Sequence, residues 1–276
     1  MALVPELQNI LNGLGVTVDV HSSLLLFGLI FGRLAAAFSL IPFLGGQSVP
    51  GQVKVGLAAA MAFVLFPSLV HSAGAPPASS LLCFALLVKE LMVGAMIGFI
   101  TQLVFYGVQT AGIVIDTQRG MNQITYLAPQ LPGHVSALGN LQFQASLVLF
   151  LAIQGHLIFL RALAESFVAV PLLRLPHLAT GWEPISTEFA RLSANALLTG
   201  CQLAAPVVLA IFLVDVSFGC IGKVASSLRI SNDANVAKSW IGLAVFFVAS
   251  AFFLERLQAF LAAMVPAVST FARSLP

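Results

Sequence analysis

Apolar residues run along this chain in blocks of membrane-spanning length, and polar residues collect between the blocks. A spanning helix needs about 20 mostly apolar residues. Six stretches reach or approach that: Ser23–Leu44, Val53–Val70, Leu81–Val114, Leu141–Val170, Ala196–Ile221 and Trp240–Val265. Much of the Pro, Asn and charge lies in the connections Gly45–Gln52, His71–Ser80, Ile115–Asn140, Pro171–Asn195 and Gly222–Ser239. The second stretch is the shortest and the third is far longer than a bilayer needs, so the helices are not expected to cross a flat membrane side by side. The pattern predicts an all-α, polytopic membrane protein of about six long apolar helices. It forms one membrane domain over residues 1–276, with no soluble domain and no internal repeat.

Composition narrows the class further. Hydrophobic residues make up 59% of the 276 positions and charged residues 8%. A soluble domain carries about 25% charged residues, so an ordinary water-facing surface cannot be covered and a soluble enzyme is excluded. A formal charge of +2 offers no stripe for phosphates, which excludes nucleic acid as a partner. Cys83, Cys201 and Cys220 lie singly in apolar runs and are expected to be small core residues rather than metal or redox groups. The segment Met1–Val20 has no Lys or Arg, so no cleaved secretory signal is expected. Lys54, Arg119, Lys223, Arg229 and Lys238 fall in the first, third and fifth connections. By the positive-inside rule this places both termini outside.

The third stretch carries a polar stripe. With Glu90 as origin, Gly94, Gly98, Thr101, Gln102, Tyr106, Gln109, Gly112 and Asp116 fall within a sector of roughly 160° at about 100° per residue. Such a face avoids hydrocarbon. It is either a helix–helix seam, with Gly94 and Gly98 as a close-approach pair, or the lining of a pathway. Gly28 and Gly32 form a second pair of the same spacing.

Arg33, Lys89, Glu90, Arg161, Glu165, Asp215, Glu255 and Arg256 are charges at apolar depth. Arg161 and Glu165 can pair along one helix face, and Glu255 and Arg256 can snorkel. Arg33 and Asp215 have no partner nearby in sequence. They are expected to be neutralised across helices or across a subunit interface, with a proton relay as the lesser reading of Asp215. His21, His71, His134, His156 and His177 are scattered, and no nucleophile, metal or nucleotide motif is present. No catalytic residue, metal or cofactor is expected.

Four blocks, in order, carry a resemblance. They are Gly32-Arg33-Leu-Ala-Ala-Ala-Phe-Ser-Leu-Ile-Pro42 leading to Pro50-Gly-Gln-Val-Lys54; Glu90-Leu-Met-Val-Gly94-Ala-Met-Ile-Gly98; Ala111-Gly112-Ile-Val-Ile-Asp116-Thr-Gln118-Arg119-Gly120; and Gly155-His156 through Ser166-Phe167 to Pro171. Their order and spacing resemble the FliR/SctT family of type III secretion export-gate subunits from about Leu24 to Leu257. The resemblance implies a non-enzymatic subunit of the flagellar or injectisome export gate in the bacterial inner membrane, at the flagellar basal body or injectisome base. Its helices form hairpins within a conical assembly with FliP-like and FliQ-like subunits, alongside FlhB-like and FlhA-like components. Unfolded export substrates pass through the interior, and membrane lipid surrounds the base.

In the family the region matching Gly112–Pro129 contributes to a channel plug, which implies Gly112, Asp116, Gln118, Arg119, Gly120, Met121 and Pro129 as gate residues. Gly112 and Gly120 would turn the backbone, Met121 and Ile124 would give apolar bulk, and Asp116, Gln118 and Arg119 would anchor the loop. Gly28, Gly32, Arg33, Pro42, Pro50, Lys54, Glu90, Gly94, Gly98 and Asp215 are expected in helix packing or at subunit interfaces, and the lone chain is expected to lack partners for Arg33 and Asp215. Gln118-Arg119-Gly120 leans towards injectisome members, while Gly155-His156 and Ser166-Phe167 lean flagellar, the form favoured here. Ile230–Lys238 lacks the Pro-Gln common at that place in the family. The alternative is a small-molecule secondary transporter with a broken helix near 112–120, which would show two similar halves.

Overall fold

Apolar runs become helices in a membrane because lipid offers no partner for a backbone N–H or C=O, and a helix satisfies both internally. The computed structural model describes residues 20–44, 49–70, 74, 76–77, 79–121, 136–175, 183–224, 230–249, 255 and 258–259. The helices in order are α1 Val20–Leu40, α2 Gly51–Val70, α3 Ser80–Gln118, α4 Ala137–Ala152, α5 Gly155–Ala169, α6 Glu183–Val224 and α7 Ile230–Val248. A short 3-10 turn, Pro42–Leu44, follows α1, and no strand occurs among the described residues. α1, α2, α3 and α6 from Phe189 are long and apolar enough to span a membrane, and α4 with α5 makes a fifth span if that broken pair is counted as one. The chain is an all-α, multi-pass membrane protein.

Helices depart from the apolar runs where polar residues are good helix formers or where packing intervenes. α3 has 39 residues and α6 has 42, about 58 and 63 Å at 1.5 Å per residue. Both exceed a hydrocarbon core of about 30 Å. α3 is continuous through Gly112 to Gln118, so the backbone break expected at Gly112, and the transporter-like broken helix near 112–120, are absent. The break lies instead inside the fourth run, at Ile153–Gln154. Gln154 takes φ 58, and a methyl on Gly155 would sit 2.2 Å from the Phe150 ring. α6 begins at Glu183 and α7 at Ile230, both inside expected connections, because hydropathy marks the lipid-facing part of a helix and not its polar extension. The sixth run beyond Ala249 lies mostly outside the described residues.

Two compact units divide the chain. The first comprises α1, α2, α3 up to Gln102, and α5 from Leu157. In it Phe27 of α1 meets Phe66 of α2 edge-on at 6.0 Å. α1 and α3 cross at close range: a methyl on Gly94 would lie 2.1 Å from the Arg33 carbonyl oxygen, and one on Gly98 2.7 Å from that of Ala37. Gly32 contributes to the same crossing, facing Leu87 Cδ1 at 3.2 Å. Gly28 does not: a methyl there meets nothing within 4 Å, and the residue borders an apolar cavity of about 240 Å³ with Leu24, Phe84 and Leu87.

The two glycine positions should therefore answer differently. Gly94→Ala drives a carbon into backbone and is expected to cost upwards of about 1–3 kcal/mol. Gly28→Ala is expected to be neutral or slightly stabilising, since alanine is the better helix former. Thermal unfolding of the detergent-solubilised chain checks both, and equal effects would contradict the packing described.

The second unit comprises α3 from Leu103, α4, α6 from Phe189, and α7. Its core joins Phe105, Val108, Ala111 and Ile115 of α3 with Leu138 and Phe150 of α4 and Leu203, Ala204, Val207 and Ile211 of α6. Phe105 makes an edge contact with Phe150 at 5.4 Å. Small residues again set the crossings. A methyl on Gly107 would be 2.7 Å from the Ala196 carbonyl oxygen, and one on Gly112 2.4 Å from the Gly139 nitrogen.

Candidate functional site

In the first unit, Arg33 of α1 and Lys89 and Glu90 of α3 meet the C-terminal end of α5. The sequence stops α5 there because Pro171 cannot extend it, leaving carbonyl groups without helical partners. Arg33 Nε donates to Glu90 Oε2 at 2.5 Å. Its Nη1 donates to the Ser166 carbonyl at 2.8 Å and to Ser166 Oγ at 3.2 Å. Its Nη2 donates to the Val170 carbonyl at 2.8 Å. The guanidinium also lies 4.2 Å from the Phe167 ring centre. Lys89 Nζ spends its three donors on the carbonyls of Pro171, Leu172 and Arg174 at 2.8, 2.9 and 3.1 Å. It meets Glu90 Oε1 at 2.6 Å as an ion pair, so that oxygen receives charge without a directed hydrogen bond.

Two cations and one carboxylate leave one surplus positive charge, set against the negative end of the α5 dipole. Arg33 and Glu90 are 0% exposed. Arg33 is thus neutralised across helices within the chain, one of the two outcomes expected for it, which corrects the further expectation that the lone chain would lack its partner.

In the second unit α3 ends in a Schellman turn. Gly120 takes φ 78 and its N–H donates to the Thr117 carbonyl at 3.1 Å, while the Met121 N–H donates to the Asp116 carbonyl at 3.1 Å. A residue with a Cβ resists that φ, and glycine does not. The turn presents the Asp116 side chain to the start of α4. Asp116 Oδ2 accepts from Ser136 Oγ at 2.8 Å and from the Leu138 N–H at 2.9 Å, and Ser136 Oγ accepts from the Gly139 N–H at 2.8 Å. A carboxylate and a serine thereby share the free N–H groups of the α4 N-terminus.

Asp116 Oδ1 accepts from Arg119 Nη1 at 2.9 Å. Arg119 continues to α7, with Nε donating to the Ser239 carbonyl at 3.1 Å and Nη2 to Ser239 Oγ at 3.3 Å. Asp116 is 2% exposed and Arg119 8%. One buried ion pair therefore fastens the end of α3 to the start of α4 and to the middle of α7. The connection 122–135, which contains Pro129 and Ile124, lies outside the described residues; the described residues on either side of it, Met121 and Ser136, adjoin this clasp.

The polar stripe of α3 divides by angle. Glu90, Gly94, Gly98, Thr101, Gly112 and Asp116, within roughly the first 80°, are buried and form seams. Gln102, Tyr106 and Gln109, at the far edge, are half-buried or exposed. Asp215 of α6 pairs with Lys238 of α7 at 2.9 Å, so its partner too lies within the chain. Pro42 is buried after α1, Pro50 is exposed and accepts from the Val53 N–H at 3.0 Å, and Lys54 is half-buried in α2. Gln118 is exposed and Met121 half-buried. Sequence reading missed Ser136, Ser239, Gly107, Gly200 and Gly242. Ser136, three residues before the glycine whose N–H it caps and a few residues ahead of the apolar run, is a visible cap signal; the others have no local signature. Among the described residues no three His, Cys, Asp or Glu side chains gather as a metal site.

The sequence profile described as bacterial export proteins, family 1, matches residues 24–264. The flagellar biosynthetic protein FliR of Escherichia coli is 31% identical over 202 residues, covering 72% of this chain and 74% of that protein. The Yop proteins translocation protein T of Yersinia pestis is 28% identical over 227 residues, covering 80% and 84%. The surface presentation of antigens protein SpaR of Shigella flexneri is 25% identical over 246 residues, covering 88% and 92%.

Proposed function

Because this chain belongs to the bacterial export proteins, family 1, we propose that it is a non-enzymatic, multi-pass inner-membrane subunit of a type III protein export gate, and that the turn ending α3 anchors the element that closes the gate. The assembly includes FliP-like and FliQ-like subunits with FlhB-like and FlhA-like components nearby, at a flagellar basal body. The blocks Gly155-His156 and Ser166-Phe167 support the flagellar form over the injectisome form. Gln102, Tyr106 and Gln109, uncharged polar groups on the half-buried or exposed edge of α3, suit a surface along which unfolded chains move without selection by charge.

The observation that carries closure is the Asp116 carboxylate, which accepts from residues on the far side of the 122–135 connection and from Arg119 on the near side. A connection drawn together at its base can be held across a path and released by breaking a few polar contacts. Gln118, Gly120, Met121 and Pro129 belong to the same element in this reading, while Gly112 packs α3 against α4. Arg119 keeps its Ser239 contacts when Asp116 is removed, so the loss falls on the closed arrangement of the turn rather than on the fold, and about 2.8 kcal/mol there raises a minor open state about a hundredfold.

Asp116→Ala in an assembled gate is expected to make cells permeable to small ions while the complex still forms. Ion release from cells producing the variant, with complex recovery measured in parallel, is the test. An assembled Asp116→Ala complex as tight as the parent would remove the closure role.

A further inference from the structure

The clasp ends on α7, and the residues of α7 that meet it share one face. Asn235, Ser239 and Gly242 are spaced by four and three, which stacks them along one side of a helix. Ser239 receives the Arg119 guanidinium on both its carbonyl and its hydroxyl. Gly242 leaves room for the Arg119 stem: a methyl there would lie 2.8 Å from Arg119 Cγ, 3.1 Å from its Cδ, and 3.1 Å from Ile211 Cδ1 of α6. Asn235 Oδ1 stands 3.7 Å from where a Cβ on Gly120 would be, in contact with the Schellman turn itself. Beside this face, Lys238 Nζ pairs with Asp215 Oδ1 of α6 at 2.9 Å, a contact between α7 and α6 that is partly exposed and weak enough to be broken when the helices move.

We propose that α7 positions the clasp and sets how firmly it is held. Gly242 and Ser239 are positioning residues for Arg119, and Arg119 in turn holds Asp116. This rests on the closure reading above and adds the element that regulates it. A helix shifted by 1–2 Å is enough to repack such a contact. Movement of α7 on α6 would draw Ser239 off Arg119 and leave Asp116 with a mobile partner, so a signal reaching the α6–α7 pair would loosen the turn without touching it.

Gly242→Ala separates this from a merely structural role. Alanine is favoured over glycine inside a helix by about 1 kcal/mol, so if this face did nothing the change would be harmless or stabilising. The proposal expects the assembled complex to form in parental yield and to leak small ions at least tenfold faster than the parent. Arg119→Ala is expected to leak as well. The double variant is expected to leak no more than Arg119→Ala alone, because both changes act through one contact and their effects should not add.

Additive leaks would mean that Gly242 acts elsewhere and would overturn the proposal. A tight Gly242→Ala complex beside a leaking Asp116→Ala complex would overturn the role of α7 and leave closure standing. A tight Asp116→Ala complex would remove the closure reading and this inference with it. If no Gly242→Ala complex is recovered, Ser239→Ala carries the test. It deletes only the 3.3 Å hydroxyl contact, so a severalfold leak supports the proposal and parental tightness overturns it.

Discussion

Glu90→Leu is expected to eliminate the accumulated chain rather than to tune its activity. The substitution keeps the volume near Arg33 and removes the carboxylate that pairs with two buried cations, Arg33 and Lys89. Lys89 keeps its three carbonyl partners, but Arg33, 0% exposed, loses its Nε contact and the surplus positive charge rises from one to two. Breaking a buried pair costs about 3–5 kcal/mol, a factor of roughly a hundred to a few thousand in the folded-to-unfolded ratio at 1.4 kcal/mol per tenfold. Membrane abundance by pulse–chase is the measurement, and parental abundance would contradict the role given to Glu90. Arg33→Lys is expected to rescue only part of what Arg33→Ala loses. An ammonium cannot reach Glu90, Ser166 and Val170 together as the guanidinium fork does, nor stack on Phe167 as closely.

Gly112→Val is expected to prevent incorporation into the complex. Its Cβ would lie 2.4 Å from the Gly139 nitrogen, 2.5 Å from the Gly139 Cα and 2.6 Å from the Leu138 carbonyl carbon. All three atoms are backbone, so no side chain can swing aside and α4 itself must move away from α3. That movement also withdraws the Leu138 N–H and Ser136 from Asp116, one turn further along α3, so the cost of overpacking, about 1–3 kcal/mol, is joined by loss of the clasp. Native gel analysis of solubilised membranes should show the parent in a high-mass complex and the Gly112→Val chain absent from it. Normal incorporation of Gly112→Val would contradict the crossing.

The all-α, multi-pass class was legible because apolar runs of spanning length leave few alternatives. Gly94 and Gly98 read as either a helix seam or a pathway lining, and only the approach of α1 to them makes the seam. Gly28 has the same spacing from Gly32 and does not pack, since spacing says which face a residue occupies but not whether a neighbour comes to it. The partners of Arg33 and Asp215 were not legible. Glu90 lies 57 positions from Arg33, and Ser166 lies 133 away, so only the folded chain brings them together. The break at Gln154 was hidden in a run whose hydropathy does not change there. Gly112 was misread as a turn because glycine serves backbone freedom and close approach equally well, and only the position of α4 decides between them.

The conductance of the purified, assembled complex across a planar bilayer, parent against Asp116→Ala from matched preparations, tests closure by the α3 turn most directly. The parent complex is predicted to be silent to small ions and the Asp116→Ala complex to open. A variant complex of unchanged composition that stays as silent as the parent would contradict the account.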